Sequence, residues 1–109
     1  MIANIETTQR DFVTGVLSSR ALVEEVLQRA TDPMGEGHLV FTRIYADQAR
    51  LAAESIDRSR AAGMDLSPIA GIPISVKDLF DVEGDVTTAG SALRRAAPPA
   101  KVDAVAVAR

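Results

Sequence analysis

The feature that most constrains this chain is a helical stripe. Leu22, Val23, Val26, Leu27 and Ala30 recur at i, i+1, i+4, i+5 and i+8, which lays them along one side of a helix. Glu24, Glu25, Gln28 and Arg29 fall on the opposite side, toward water. The hydroxyl of Ser18 or Ser19 is suited to start this helix, because it accepts from the N–H groups of a first turn that have no internal partner. Asp32-Pro33-Met34-Gly35-Glu36-Gly37 stops it. A second helix is predicted from Ala46 to Ala62, with Ala49, Ala52, Ala53 and Ile56 inward and Asp47, Arg50, Glu54, Asp57, Arg58 and Arg60 outward. Gly63 stands where a left-handed C-terminal cap belongs. Upstream, Thr8-Gln9-Arg10-Asp11 has capping-box spacing and opens a short helix with Phe12, Val13, Val16 and Leu17 on its apolar face.

Two strands are expected. Leu39-Val40-Phe41-Thr42-Arg43-Ile44-Tyr45 is rich in β-branched and aromatic residues, and the apolar run from Ile69 to Asp78 suits a buried strand. Residues 79–99 read mostly as loop. Val102 to Arg109 opens an apolar helix with no stop signal before Arg109, so the chain reads as a segment of a longer domain.

Composition narrows the function classes. Aromatic residues are 4% of 109, so the core must come from Ala, Val, Leu and Ile. A 47% hydrophobic and 25% charged balance is that of a soluble globular protein. Twelve basic against fifteen acidic residues give a net charge of −3, which disfavours direct nucleic-acid binding. With no cysteine, disulfides, thiolate zinc sites and cysteine nucleophiles are excluded. No signal-peptide pattern opens the chain, and the longest apolar run, Ala104 to Ala108, falls far short of the ~20 residues that span a bilayer. A cytoplasmic protein without membrane contact is expected.

Several chemistries fail on residue type or spacing. His38 is the lone histidine and reads as a solvated loop residue; a histidine metal set or a Ser-His-Asp triad would lack its parts. An EF-hand loop aligned on Gly84 puts Leu79, which offers no side-chain oxygen, at its first ligand position. Asp78, Asp81, Glu83 and Asp85 are therefore expected to form a solvated loop face. Gly84 and Gly90 lack the spacing of a nucleotide-binding loop.

Lys77 remains. A lysine whose backbone sits in a buried strand end is costly to keep charged, since desolvation lowers a lysine pKa from about 10.4 by ~3–5 units. Made neutral, such a lysine serves as a general base. The plainer reading is a surface lysine at a strand edge, on the same side as Ser75.

The block Gly71-Ile72-Pro73-Ile74-Ser75-Val76-Lys77-Asp78, followed by Gly84, Thr87-Thr88 and Gly90-Ser91, resembles the amidase signature family, the Ser–cisSer–Lys amide hydrolases. Lys77 matches the family's catalytic lysine; Asp78, Gly84, Thr88, Gly90 and Ser91 match its supporting framework. The resemblance implies an α/β fold, a mixed twisted β-sheet covered by helices on both faces. It implies that residues 1–109 are an N-terminal segment of a single amidase domain, truncated before the Gly/Ser-rich signature that carries both serines. Neither Ser75 nor Ser91 matches either serine. In the implied mechanism Lys77 takes a proton from the cis-serine, which deprotonates the nucleophilic serine; that serine attacks a small linear amide. No metal or organic cofactor is implied, and Asp78 is expected to support the backbone around Lys77. The remainder of the amidase chain or a partner subunit is expected to complete the enzyme, with a homodimer as a further expected partner. The alternatives are the amidase subunit of a glutamine-dependent tRNA amidotransferase, and a non-catalytic remnant or interaction module whose open apolar faces need a partner.

Overall fold

The structure, a computed structural model, describes residues 3–109. It divides into two compact units, Met1–Pro73 and Ile74–Arg109. The first holds α1 (Ile5–Thr14), α2 (Ser19–Thr31), α3 (Gly37–Val40) and α4 (Ala46–Ala61). The second holds a 3-10 helix at Ala92–Ala96 and the short α5 (Val105–Ala108).

Local chemistry sets most helix ends. Asn4, rather than Thr8, caps α1: its Oδ1 accepts the Thr7 N–H at 2.8 Å, and Thr8 lies buried inside the helix. Ser18 caps α2 as expected, its hydroxyl accepting from the Ala21 N–H at 3.0 Å. The α4 terminus forms a Schellman motif. Gly63 at φ 75° donates to the Arg60 carbonyl at 3.0 Å, and Met64 donates to the Ser59 carbonyl at 3.1 Å.

The core lies between α2 and α4. Val23, Leu27 and Ala53 are buried, with Ile44, Ala46 and Ala49 packed around them. Fully burying a Val or Leu side chain is worth about 1.5–3 kcal/mol, so this small cluster dominates the apolar stabilisation of the helix pair. Polar contacts set its direction. Arg50 meets Glu24 through Nε at 2.8 Å and Nη2 at 3.1 Å, Glu54 pairs with Arg20, and Asp57 meets the backbone of Ser19 and Arg20. As α4 advances its partners on α2 move backward, so the two helices run antiparallel. The apolar face expected for α1 is buried only at Phe12; Val13 and Val16 are exposed.

The expected α/β fold is not found. Among the described residues there is no strand, and the elements are helices and turns. The Glu36 carbonyl accepts the N–H groups of Leu39 and Val40 at 2.9 and 3.2 Å, drawing the start of the first expected strand into α3. Residues 72–76 are extended or irregular without a ladder. A strand exists through hydrogen bonds to a second strand, and β-branched composition alone cannot supply that partner. Of the apolar helix expected from Val102 to Arg109, only Val105–Ala108 is helical, as α5. No described helix is long and apolar enough to cross a membrane.

Candidate functional site

Lys77 does not sit in a buried strand end. It is exposed, in a segment with no regular element, and its carbonyl accepts from Leu79 N–H at 2.7 Å and Phe80 N–H at 3.1 Å. The residue carrying the expected chemistry thus stands at the entry of a tight turn. Ser75 and Val76 are exposed beside it.

Asp78 faces a second turn. Its Oδ1 accepts the Thr88 N–H at 2.9 Å, and its Oδ2 accepts the Thr88 hydroxyl. The turn that follows is left-handed at two successive residues, Ala89 (φ 51°) and Gly90 (φ 73°), and closes with Ser91 N–H on the Thr88 carbonyl at 2.9 Å. Glycine tolerates that backbone freely, whereas alanine adopts it at a cost. The Thr88 hydroxyl and N–H hold the Asp78 carboxyl below the ordinary carboxylate range, against a smaller upward push from burial, with help from the Ala89 and Gly90 N–H groups. Asp78 therefore acts as an anchor for the turn at Thr88.

Two further carboxylates, those of Asp81 and Asp103, are tied to local structure. Asp81 Oδ1 accepts the Thr87 hydroxyl at 2.6 Å, and Asp103 Oδ1 accepts the Glu83 N–H at 2.7 Å. The Gly84 N–H meets the Ala100 carbonyl at 2.9 Å, and the Ala100 N–H returns to the Asp85 carbonyl at 2.9 Å. No group of three His, Asp or Glu side chains among the described residues is placed to hold a metal ion. His38 is exposed, as expected, but lies in α3 rather than in a loop; it lines a cavity of about 430 Å³ with Ala30, Pro33, Phe41 and Ile44.

The first unit carries a polar node at the other end of the lysine block. Ser19 is fully buried; its N–H donates to Asp57 Oδ1 at 2.8 Å, and Arg20 N–H donates to Asp57 Oδ2 at 2.9 Å. Arg60 Nη1 reaches Asp57 Oδ1 at 3.0 Å and the Ser19 hydroxyl at 3.2 Å, while Nη2 donates to the Ala70 carbonyl at 3.0 Å. Its guanidinium lies 4.6 Å from the Phe12 ring centroid. Gly71, at φ 90°, fits against this node so closely that a Cβ there would fall 2.0 Å from Ser19 Oγ. The first residue of the lysine block is thus a glycine for two reasons, backbone conformation and contact.

Known proteins resemble this chain in sequence and fold. The family model described as Amidase matches residues 21–109. The chain belongs to the amidase family. It is 41% identical over 102 residues to AtzE, the 1-carboxybiuret hydrolase subunit of Pseudomonas sp. (strain ADP), covering 91% of this chain and 22% of that protein. It is 38% identical over 98 residues to the glutamyl-tRNA(Gln) amidotransferase A subunit of Synechococcus sp. (strain CC9605), covering 87% of this chain and 19% of that one. A solved chain of an unexpected vestigial protein complex, said to reveal the evolutionary origins of an s-triazine catabolic enzyme, matches with a TM-score of 0.87. That match is 38% identical and covers 97% of this chain and 23% of the solved one. The chain spans about a fifth of the length of the curated relatives it matches.

In this amidase-family chain the second unit brings together Asp78, Thr88, Gly90 and Ser91, four members of the expected framework, directly after Lys77. Ser19, Asp57 and Arg60 are brought together without any signal in the sequence. Asp57 and Arg60 carry the i, i+3 spacing of one helix face, which also fits a solvated ion pair, and no pattern ties them to a serine some forty residues upstream.

Proposed function

We propose that this chain is the lysine-bearing part of an amidase that hydrolyses the C–N bond of a small linear amide, with Lys77 as the base. The observation that carries the proposal is the contiguous block from Gly71 to Asp78, in which Asp78, next to Lys77, is held by Thr88. The family membership and the likeness to a hydrolase subunit support the same reading. The chain contains no Gly/Ser-rich signature, so the two serines would come from outside these 109 residues, through further chain or a partner subunit. Lys77 is exposed, and the desolvation that a lysine base requires would come from the surface that covers it in the complete enzyme. In the cycle a serine alkoxide attacks the carbonyl, ammonia or an amine leaves, and water releases the acyl group.

The test is Lys77→Ala in the complete enzyme, assayed for ammonia release from short primary amides and N-acylureas. Loss of at least ~10²-fold in kcat, the lower range for general acid–base catalysis, is the expected result. Turnover equal to that of the unsubstituted enzyme overturns the proposal. Likeness to several glutamyl-tRNA(Gln) amidotransferase A subunits favours a second reading, in which the amide is glutamine and the ammonia passes to a partner. Glutamine hydrolysis that rises on adding the partner subunits separates it from the first.

A further inference from the structure

Lys77 has an unusual support. No residue of Ile74–Arg109 is fully buried, so no closed apolar core holds the lysine's backbone in place. What holds it is polar. Its own carbonyl is taken by the Leu79 and Phe80 N–H groups, and its neighbour Asp78 has both carboxylate oxygens occupied by Thr88. Three residues on, Asp81 takes the hydroxyl of Thr87 at 2.6 Å. Two successive threonines are thus tied to two carboxylates of the lysine segment.

The ties differ in what they control. Asp81 is exposed and lies beyond the turn, so its contact keeps the two stretches side by side. Asp78 is half-buried and joined to Lys77 by one peptide bond, so its contact governs the plane of that peptide. A lysine amine hangs on four methylene groups, and a small rotation at its backbone displaces the nitrogen by a large arc. A misplacement of ~1 Å at a reacting group can cost ~10²-fold in rate.

We infer that Thr88, through its hydroxyl and N–H on the Asp78 carboxylate, is a positioning residue that fixes the backbone of Lys77 for proton transfer. The inference rests on Lys77 being the base. Thr88→Val removes the hydroxyl at nearly constant shape and leaves the N–H contact and the Asp81–Thr87 tie intact, so the segment retains its course. Thr88→Ser restores a hydroxyl at the same place.

The experiment compares Thr88→Val, Thr88→Ser, Asp78→Asn and Lys77→Ala in the complete enzyme, with a short primary amide as probe and the pH dependence of kcat recorded for each. The expected result is a kcat lowered on the order of 10²-fold in Thr88→Val, with KM held within a few-fold, and most of the loss recovered in Thr88→Ser. Asp78→Asn, which keeps the shape of the acceptor but removes its charge, is expected to fall between them, and it serves if Thr88→Val fails to fold. Unchanged kcat in both Thr88→Val and Asp78→Asn, with Lys77→Ala inactive, overturns the positioning role and leaves the lysine reading standing. Full activity in Lys77→Ala overturns both, since nothing would then need positioning. A Thr88→Val loss that Thr88→Ser does not recover also overturns it, because the hydroxyl would not be the group that matters.

Discussion

Replacing Gly71 by alanine tests whether the lysine block is seated by contact or by backbone conformation alone. Gly71 lies at φ 90°, where any L side chain is strained, and its added Cβ would lie 2.0 Å from Ser19 Oγ, 2.8 Å from Ser19 Cβ and 3.1 Å from Ile56 Cγ2. Turning the serine hydroxyl away does not relieve the Cβ contact. It also breaks the bond that Ser19 Oγ accepts from Arg60 in a fully buried site. Left-handed strain costs about 1–2 kcal/mol for a residue with a Cβ. Overpacking a closed site adds about 1–3 kcal/mol, so Gly71→Ala is expected to lose roughly 2–5 kcal/mol. Gly63→Ala isolates the strain: Gly63 has φ 75° in the same unit, and its added Cβ would meet nothing within 4 Å. Urea unfolding followed by the far-UV helix signal gives both values, and their difference reports the contact. Equal losses in the two variants would refute the argument that Gly71 is wedged against the Ser19 node.

Two other substitutions probe the same unit. Burial pushes the Asp57 carboxyl upward, but the N–H groups of Arg20 and Ser19, the Ser19 hydroxyl and Arg60 outweigh it and hold the carboxyl below its usual range. A depressed folded pKa contributes stability above the unfolded value near ~4, and that contribution is lost as pH falls through the folded value. Asp57→Asn should therefore flatten the acid limb of a stability–pH series and lower stability at neutral pH by about 1.5–3 kcal/mol, the range for hydrogen bonds to a charged group. Gly37→Ala would place a Cβ 1.9 Å from the Ala30 carbonyl oxygen, a backbone neighbour that cannot rotate away. Its loss is expected near the upper end of overpacking, about 3 kcal/mol, read as a lowered midpoint in the same urea assay.

Much of the helical layer is legible in the amino-acid order alone. Ser18, Gly63 and the Leu22–Ala30 stripe act through neighbours within one or two turns, so residue type and spacing determine them. The same locality explains why Lys77 and its framework stand out: the block is contiguous, and its supporting threonine lies eleven residues away. The expected strands are not legible in this way. Leu39 to Tyr45 has strand composition, yet α3 takes Leu39 and Val40, because the carbonyl of Glu36 is within one turn and a pairing strand is not. The expected burial of Lys77 fails for a related reason, since apolar neighbours in sequence bury a residue only when other elements cover them.

Local chemistry thus establishes the Ser18 start of α2 and the left-handed Gly63 end of α4, while a contiguous block resembling the amidase signature family singles out Lys77. The folded chain establishes what those pieces touch. Asp57 and Arg60 read as solvated charges on α4, yet they form a seat for the buried Ser19 and for Ala70 because α2 packs antiparallel to α4. Asp78 is one of four acids in a loop, and it anchors Thr88 because the chain turns back on itself. Contacts over ten to forty residues depend on chain path, which periodicity within a single element does not encode.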